Sequence, residues 1–298
     1  MTLHDTYTTD DAEGENWRLL LGDSCERLAE LPDESVHLSV YSPPFASLYT
    51  YSPSPRDLGN SASREVFFQH YDFIIRENLR VMLPGRTCCV HIQDLTTTKA
   101  TDGYVSVTDF SGDVIRAYQA AGWIYHGRVT VNKNPQAQAI RTKAQALMFV
   151  TKNKDSAKTR PALPDYLLIF RKPGDNPIPI KTDVTNDEWI DWAQPVWLDI
   201  KETNTLNARV AREHADERHI APLQLDFIER CVRLWSNPGE TVLSPFAGIG
   251  SEVYTAVKLG RRGVGIELKR SYWRTAVDNL RSLDQETSAP SLPFGEVS

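Results

Sequence analysis

Thr241-Val-Leu-Ser-Pro-Phe-Ala-Gly-Ile-Gly-Ser251 opens as a short apolar run, meets two glycines spaced by one residue, and continues into a helix-forming stretch. Strand, glycine turn and helix in that order place backbone N–H groups at a helix N-terminus, where glycines let the chain turn tightly and approach a ligand. The next apolar run, Gly263-Val-Gly-Ile-Glu267, ends in a carboxylate that can accept hydrogen bonds from both hydroxyls of a ribose. A dinucleotide loop calls for a third small residue where this chain has Val253, which disfavours a pyrophosphate. An adenosine without phosphates remains, and S-adenosylmethionine is the obvious candidate.

Outward from that stretch, strand-like and helix-like segments alternate, which predicts an α/β fold with a mostly parallel sheet covered on both faces. The expected strands are 18–21, 36–41, 87–92, 124–131, 166–170, 241–243 and 263–266; the expected helices are 24–30, 64–83, 112–121, 222–235, 251–259 and 271–283. The alternation fails from Lys133 to Asp165 and from Pro173 to Arg218, so these read as insertions on the sheet. The expected organisation is residues 15–132, an insertion region 133–216 with a core strand near 166–170, and residues 217–283, with mobile tails at 1–14 and 284–298.

A second stretch carries chemistry. Val36, Leu38 and Val40 alternate as in a strand, which Ser42-Pro43-Pro44-Phe45 must stop, because consecutive prolines cannot continue a ladder. In isolation that is either a turn or a set of hydrogen-bond acceptors held still. Ser42-Pro43-Pro44-Phe45, then His219-Ile220-Ala221-Pro222, then Phe246-Ala247-Gly248-Ile249-Gly250-Ser251 and Glu267, resembles the amino-methylating DNA methyltransferases of the β class, most of all stand-alone enzymes carried by bacteriophages. Leu21-Gly22-Asp23-Ser24 and Leu31 to Val36 resemble that family's lead-in to its catalytic strand, so the likeness covers residues 17–94 and 217–282. It implies a Rossmann-like, circularly permuted S-adenosylmethionine-dependent methyltransferase fold with target-recognition insertions. It implies catalytic Ser42, Pro43, Pro44 and Phe45, and a cofactor site of Asp23, His219, Ile220, Ser244, Phe246, Gly248, Gly250, Ser251 and Glu267. The chain departs from the family at Ser244, where the family usually has Asp.

The exocyclic amine of a nucleobase is a poor nucleophile, because its lone pair is delocalised into the ring. Two acceptors gripping its N–H bonds favour a pyramidal nitrogen, and the Ser42 hydroxyl and Pro43 carbonyl can serve as that pair. Phe45 would stack on a base flipped from the duplex. Asp94, ending Cys88-Cys-Val-His-Ile-Gln-Asp94, either receives the released proton or simply begins a solvated loop. Serine at the first position of the tetrapeptide leans towards cytosine N4, with adenine N6 as the alternative. A ring-carbon methyltransferase would need a nucleophilic cysteine, typically after proline, and no Pro-Cys pair occurs. A non-catalytic DNA-binding module descended from such an enzyme is the alternative of another class.

The composition is that of an ordinary globular chain, with 41% hydrophobic and 24% charged residues and net charge −6. Residues 128–172 nevertheless hold ten basic and two acidic side chains, so that segment is +8. Such a run is either a solvated face or a surface for the phosphates of double-stranded DNA, with Arg128, Lys133, Arg141, Lys143, Lys152 and Lys154 as the candidate contacts. The four cysteines lack metal spacing and the seven histidines form no HxxxH pair, so no metal is expected. No run is long and apolar enough to span a membrane, and the acidic N-terminus is no signal peptide, so a cytoplasmic protein is expected. Oligomeric state is left open.

Overall fold

The computed structural model describes residues 8–44, 56–61, 63–142, 147, 152, 155–206 and 222–288. Its strands are β1 (Asp10–Glu13), β2 (Trp17–Leu21), β3 (Val36–Tyr41), β4 (Met82–Gln93), β5 (Leu95–Thr96), β6 (Val107–Thr108), β7 (Ile124–Val131), β8 (Asp165–Arg171), β9 (Val196–Trp197), β10 (Thr241–Ser244) and β11 (Arg262–Glu267). The helices are α1 (Ser24–Leu28), α2 (Arg64–Val81), α3 (Lys99–Asp102), α4 (Phe110–Ala120), α5 (Pro135–Thr142), α6 (Asn186–Trp192), α7 (Leu225–Trp235), α8 (Ser251–Lys258) and α9 (Arg270–Ser288).

Among the described residues, nine strands form one sheet in the order β1-β2-β11-β10-β3-β4-β8-β7-β9, and β5 and β6 pair separately. From β2 to β4 every neighbouring pair is parallel. Only β8 runs against its neighbours β4 and β7 within that core, so β7 shares the direction of the parallel set. The expected α/β sheet is therefore present, with its C-terminal strand ends on one edge.

Helices α1, α2 and α4 cover one face, where Leu28, Phe67, Tyr71, Ile74, Phe110 and Tyr118 pack on Val36, Val90 and Phe170. The other face is covered by α7, α8 and α9, with Phe227, Cys231 and Ala256 against Leu38, Val40 and Cys89 and Ala276 and Leu280 against Leu19 and Leu21. Cys88 and Cys89 belong to opposite faces, as strand alternation requires. In α2 the buried Phe67, Tyr71, Ile74, Asn78 and Val81 recur every three or four residues, the period of a helix with one face inside.

Several boundaries differ from expectation. Asp10–Glu13, expected in a mobile tail, pairs antiparallel with β2 as an edge strand, and α9 continues to Ser288. Helix α2 stops at Val81 rather than 83, with Met82 already extended, because Pro84 disfavours helical backbone in the residue before it. Within the expected insertions, β9 adds a parallel edge strand beside β7.

The missing third glycine of the loop has a structural counterpart. A Cβ on Gly263 would lie 2.6 Å from Val253 Cγ1, and one on Gly265 would lie 2.7–2.9 Å from Leu19, Val253 and Ala247. Close approach of α8 to β11 is thus made by glycines on the strand rather than by a small residue on the helix. Gly265→Ala should cost about 1–3 kcal/mol of stability by overpacking. Urea denaturation followed by circular dichroism checks this, and an unchanged midpoint would contradict it.

Candidate active site

A cavity of about 360 Å³ opens at the C-terminal edge of the parallel strands. Its floor is the glycine loop. Gly248 and Gly250 have φ of +53° and +87°, the left-handed region that glycine enters without a steric cost. The Gly250 N–H closes the turn onto the Ala247 carbonyl at 2.7 Å. Glu267 ends β11 half-buried rather than exposed. Its Oε2 accepts from the Gly248 N–H at 2.9 Å and its Oε1 from the Lys269 N–H at 2.7 Å. The carboxylate is held in one orientation, and each oxygen keeps a lone pair. Burial pushes the carboxyl up to about 7, against the pull of those N–H groups.

Asp23 lines the cavity and caps α1 through the Cys25 N–H at 2.9 Å, with Arg56 3.2 Å away. Ser24 donates to the Pro245 carbonyl, which ties α1 to the loop. Phe246 lines the cavity and packs on the rings of Tyr41 and Tyr71 at 5.6 and 6.3 Å. Ser251 lines the same cavity, and its Oγ is buried without a hydrogen-bond partner. Ser244 Oγ is likewise buried and unpartnered, and Ser244 lies at the end of β10.

Ser42, Pro43 and Pro44 follow β3 and line the same cavity. The Ser42 hydroxyl lies 3.2 Å from His91 Nδ1, and His91 Nε2 lies 2.9 Å from Asp165 Oδ2. Lys133 Nζ reaches that oxygen at 2.6 Å, and Gln93 donates to Asp165 Oδ1 at 2.9 Å. A carboxylate can only accept, so Nε2 donates to Asp165, and in the neutral tautomer that leaves the Nδ1 lone pair facing the Ser42 O–H. Asp165 is 4% exposed. Burial alone would raise its carboxyl, but His91 and Lys133 outweigh that and hold it below the usual carboxylate range.

The sequence reading offers Asp94 either as the proton acceptor or as the start of a solvated loop, and names neither His91 nor Asp165. Asp94 in fact accepts from the Ser111 N–H at 2.9 Å at the start of α4, so it caps a helix instead of facing Ser42. Lys133, expected to contact DNA, has a side chain 9% exposed and is committed to Asp165. Arg128 is exposed and sits over the Tyr166 ring at 5.0 Å; Lys152 is exposed. Lys172, from the same basic run, donates to the Met82 carbonyl at 2.7 Å, a structural role. Phe45, Tyr49, Tyr51, Lys143, Lys154, His219 and Ile220 lie outside the described residues, as does the side chain of Arg141.

Residues 36–278 match the family model for N6/N4-type DNA methylases. The chain belongs to that family. This DNA methylase is 24% identical over 288 residues to the type II methyltransferase M.MjaI of Methanocaldococcus jannaschii, covering 86% of this chain and 88% of the relative. It is 25% identical over 296 residues to M.Cfr9I of Citrobacter freundii, covering 89% and 88%. Among solved structures it is similar to TTHA0409 of Thermus thermophilus, described as a DNA modification methylase and solved with S-adenosyl-L-methionine. The TM-score is 0.67 at 25% identity, over 90% of this chain and 96% of that one. The cytosine-N4-specific PvuII methyltransferase shares the fold, with TM-score 0.67 at 17% identity over 92% and 90%.

The cofactor is S-adenosylmethionine, and the cavity fits it: a pinned carboxylate at a strand end, a glycine turn, and an unpartnered buried hydroxyl at Ser251. Glu252 shares that cavity, and burial pushes its carboxyl up to about 8, with its own N–H opposing and Glu267 adding to the rise. Carboxyls raised above their unfolded value of 4.5 add stability that is full below that pH and is lost as pH rises through about 7 and 8. The melting temperature of the cofactor-free protein should therefore fall between about pH 5 and 8. Glu252→Gln should flatten the upper part of that fall. Differential scanning calorimetry across the range checks this, and a melting temperature that rises over the same window would contradict it.

Proposed function

We propose that this DNA methylase transfers a methyl group to the N4 amine of cytosine flipped out of duplex DNA. The observation that carries the reading is the Ser42 hydroxyl, held by His91 at the mouth of the cofactor cavity. Serine at the head of the tetrapeptide supports cytosine over adenine through the family resemblance. S-adenosylmethionine, when bound, supplies the electrophilic methyl on its sulfonium.

The chain's own groups prepare the amine. Ser42 Oγ donates its proton to His91 Nδ1 and so turns a lone pair towards one amine N–H, while the Pro43 carbonyl takes the other. Gripped at both N–H bonds, the nitrogen loses conjugation with the ring and gains an aimed lone pair, an effect strengthened where water is excluded. When the bound cofactor's methyl passes to the amine, its C–S bond would break to leave the thioether as the C–N bond forms, and one amine proton would pass to Ser42 Oγ while the serine proton moves to His91 Nδ1. The resulting imidazolium faces the Asp165 carboxylate, which Lys133 and Gln93 keep in place. Phe45 serves as the stacking platform for the flipped base, which offsets about 1–3 kcal/mol of the cost of unstacking. Arg128 and Lys152 contribute to the phosphate-facing surface, and residues 133–216 to target recognition.

Ser42→Ala should retain cofactor and DNA binding and lose on the order of 10²–10³ in single-turnover rate. If Ser42 and His91 act as one unit, the double variant Ser42→Ala/His91→Ala should be little slower than Ser42→Ala alone. Multiplicative losses would show that they act separately. Liquid chromatography with mass detection against standards, which separates the isomeric methylcytosines, should give N4-methyl-2′-deoxycytidine from modified DNA. N6-methyl-2′-deoxyadenosine would overturn the base assignment, and 5-methyl-2′-deoxycytidine would overturn the amine mechanism.

A further inference from the structure

Glu252 belongs to the cofactor cavity, yet neither motif accounts for it. It is the second residue of α8, directly after the glycine loop, and is 4% exposed. Among the described residues no lysine or arginine forms an ion pair with it, and the neighbouring charge that acts on it is the acidic Glu267. A buried carboxylate without a cation stays protonated or awaits a positive partner.

The charged groups around the cavity leave that need unmet. Glu267 at the end of β11, Asp57 before the 3-10 turn Leu58–Asn60, and Asp23 at the start of α1 are acidic. Arg56 is engaged by Asp23 and Glu26, Lys269 Nζ sits over the Tyr272 ring at 4.3 Å, and His70 enters from α2. Ser251, 2% exposed, lines the cavity one residue before Glu252, and its Oγ is buried without a hydrogen-bond partner. The cofactor brings two cations at its methionyl end, the sulfonium and the α-ammonium. At the other end of the loop, where a carboxylate would be expected, the chain has neutral Ser244.

We propose that Glu252 is the anionic partner of the cofactor's cationic methionyl end and releases its proton to solvent when the cofactor binds. The carboxyl O–H breaks, the proton passes to buffer, and an ion pair replaces a neutral acid. The uptake of a charged ligand is thereby coupled to pH, while a ligand that shares the adenosine but lacks both cations leaves Glu252 protonated.

Isothermal titration calorimetry in buffers of different ionisation enthalpy reads this directly. At about pH 7 the wild-type protein should release more protons on binding S-adenosylmethionine than on binding 5′-methylthioadenosine, which has neither cation. In Glu252→Gln that difference should vanish, and S-adenosylmethionine should bind about 10- to 100-fold more weakly with 5′-methylthioadenosine unaffected. S-adenosylhomocysteine, which keeps only the ammonium, separates the two sources. Weakening of both cationic ligands assigns the ammonium, and weakening of S-adenosylmethionine alone assigns the sulfonium. Equal proton release by the two wild-type titrations, or unchanged S-adenosylmethionine affinity in Glu252→Gln, overturns the proposal. The inference rests on the cavity being the cofactor's. Wild-type binding of 5′-methylthioadenosine tests that separately, because its failure there would remove the cavity assignment and the proposal with it.

Discussion

A parallel sheet delivers the C-terminal end of every strand to one edge, and in this DNA methylase the whole site depends on that constraint. Ser42 leaves β3 there, the glycine loop leaves β10, and Glu267 ends β11, with β3, β10 and β11 direct neighbours. Groups separated by more than two hundred residues in the chain thus line one cavity. The antiparallel β8 adds what parallel strands cannot. It begins at the edge where the others finish, so its first residue, Asp165, lies opposite Gln93 and beside Val131. One reversed strand is what brings a buried carboxylate to His91.

The two halves of the site are held by different means. On the cofactor side the backbone is the partner: Gly248 and Lys269 donate N–H groups to Glu267, which tie the loop to the strand end. On the Ser42 side the partners are side chains in series, Ser42, His91, Asp165 and Lys133. Buried polar chains of this kind are stable only when each member is satisfied, which is why Lys133 is drawn inward from a basic run.

Period-2 and helical patterns make the parallel strands and covering helices legible in the sequence, and the glycine loop, the Pro-Pro stop and Glu267 mark the cavity. Parity is what separates Asp94 from its expected place. Ser42 follows Val40 on the face covered by α7, and Cys89, His91 and Gln93 share that face, whereas Asp94 has the opposite parity and meets α4. The histidine is therefore legible in principle from strand register alone. Asp165 is not, because its approach depends on a reversed strand arriving after an insertion. Charge alone marks Lys133 as a surface group, and no local pattern announces an ion pair formed 32 residues away along the chain.

Catalysis in this protein turns on whether Ser42 and the Pro43 carbonyl grip an exocyclic amine at the mouth of the cofactor cavity. A crystal structure of the protein with its methylatable duplex and a non-reactive cofactor analogue tests that grip most directly. The expected complex has a base turned out of the helix with its amine nitrogen about 3 Å from both Ser42 Oγ and the Pro43 carbonyl oxygen. A target base seated with its amine directed away from Ser42, in a complex where the analogue fills the cavity, would contradict it.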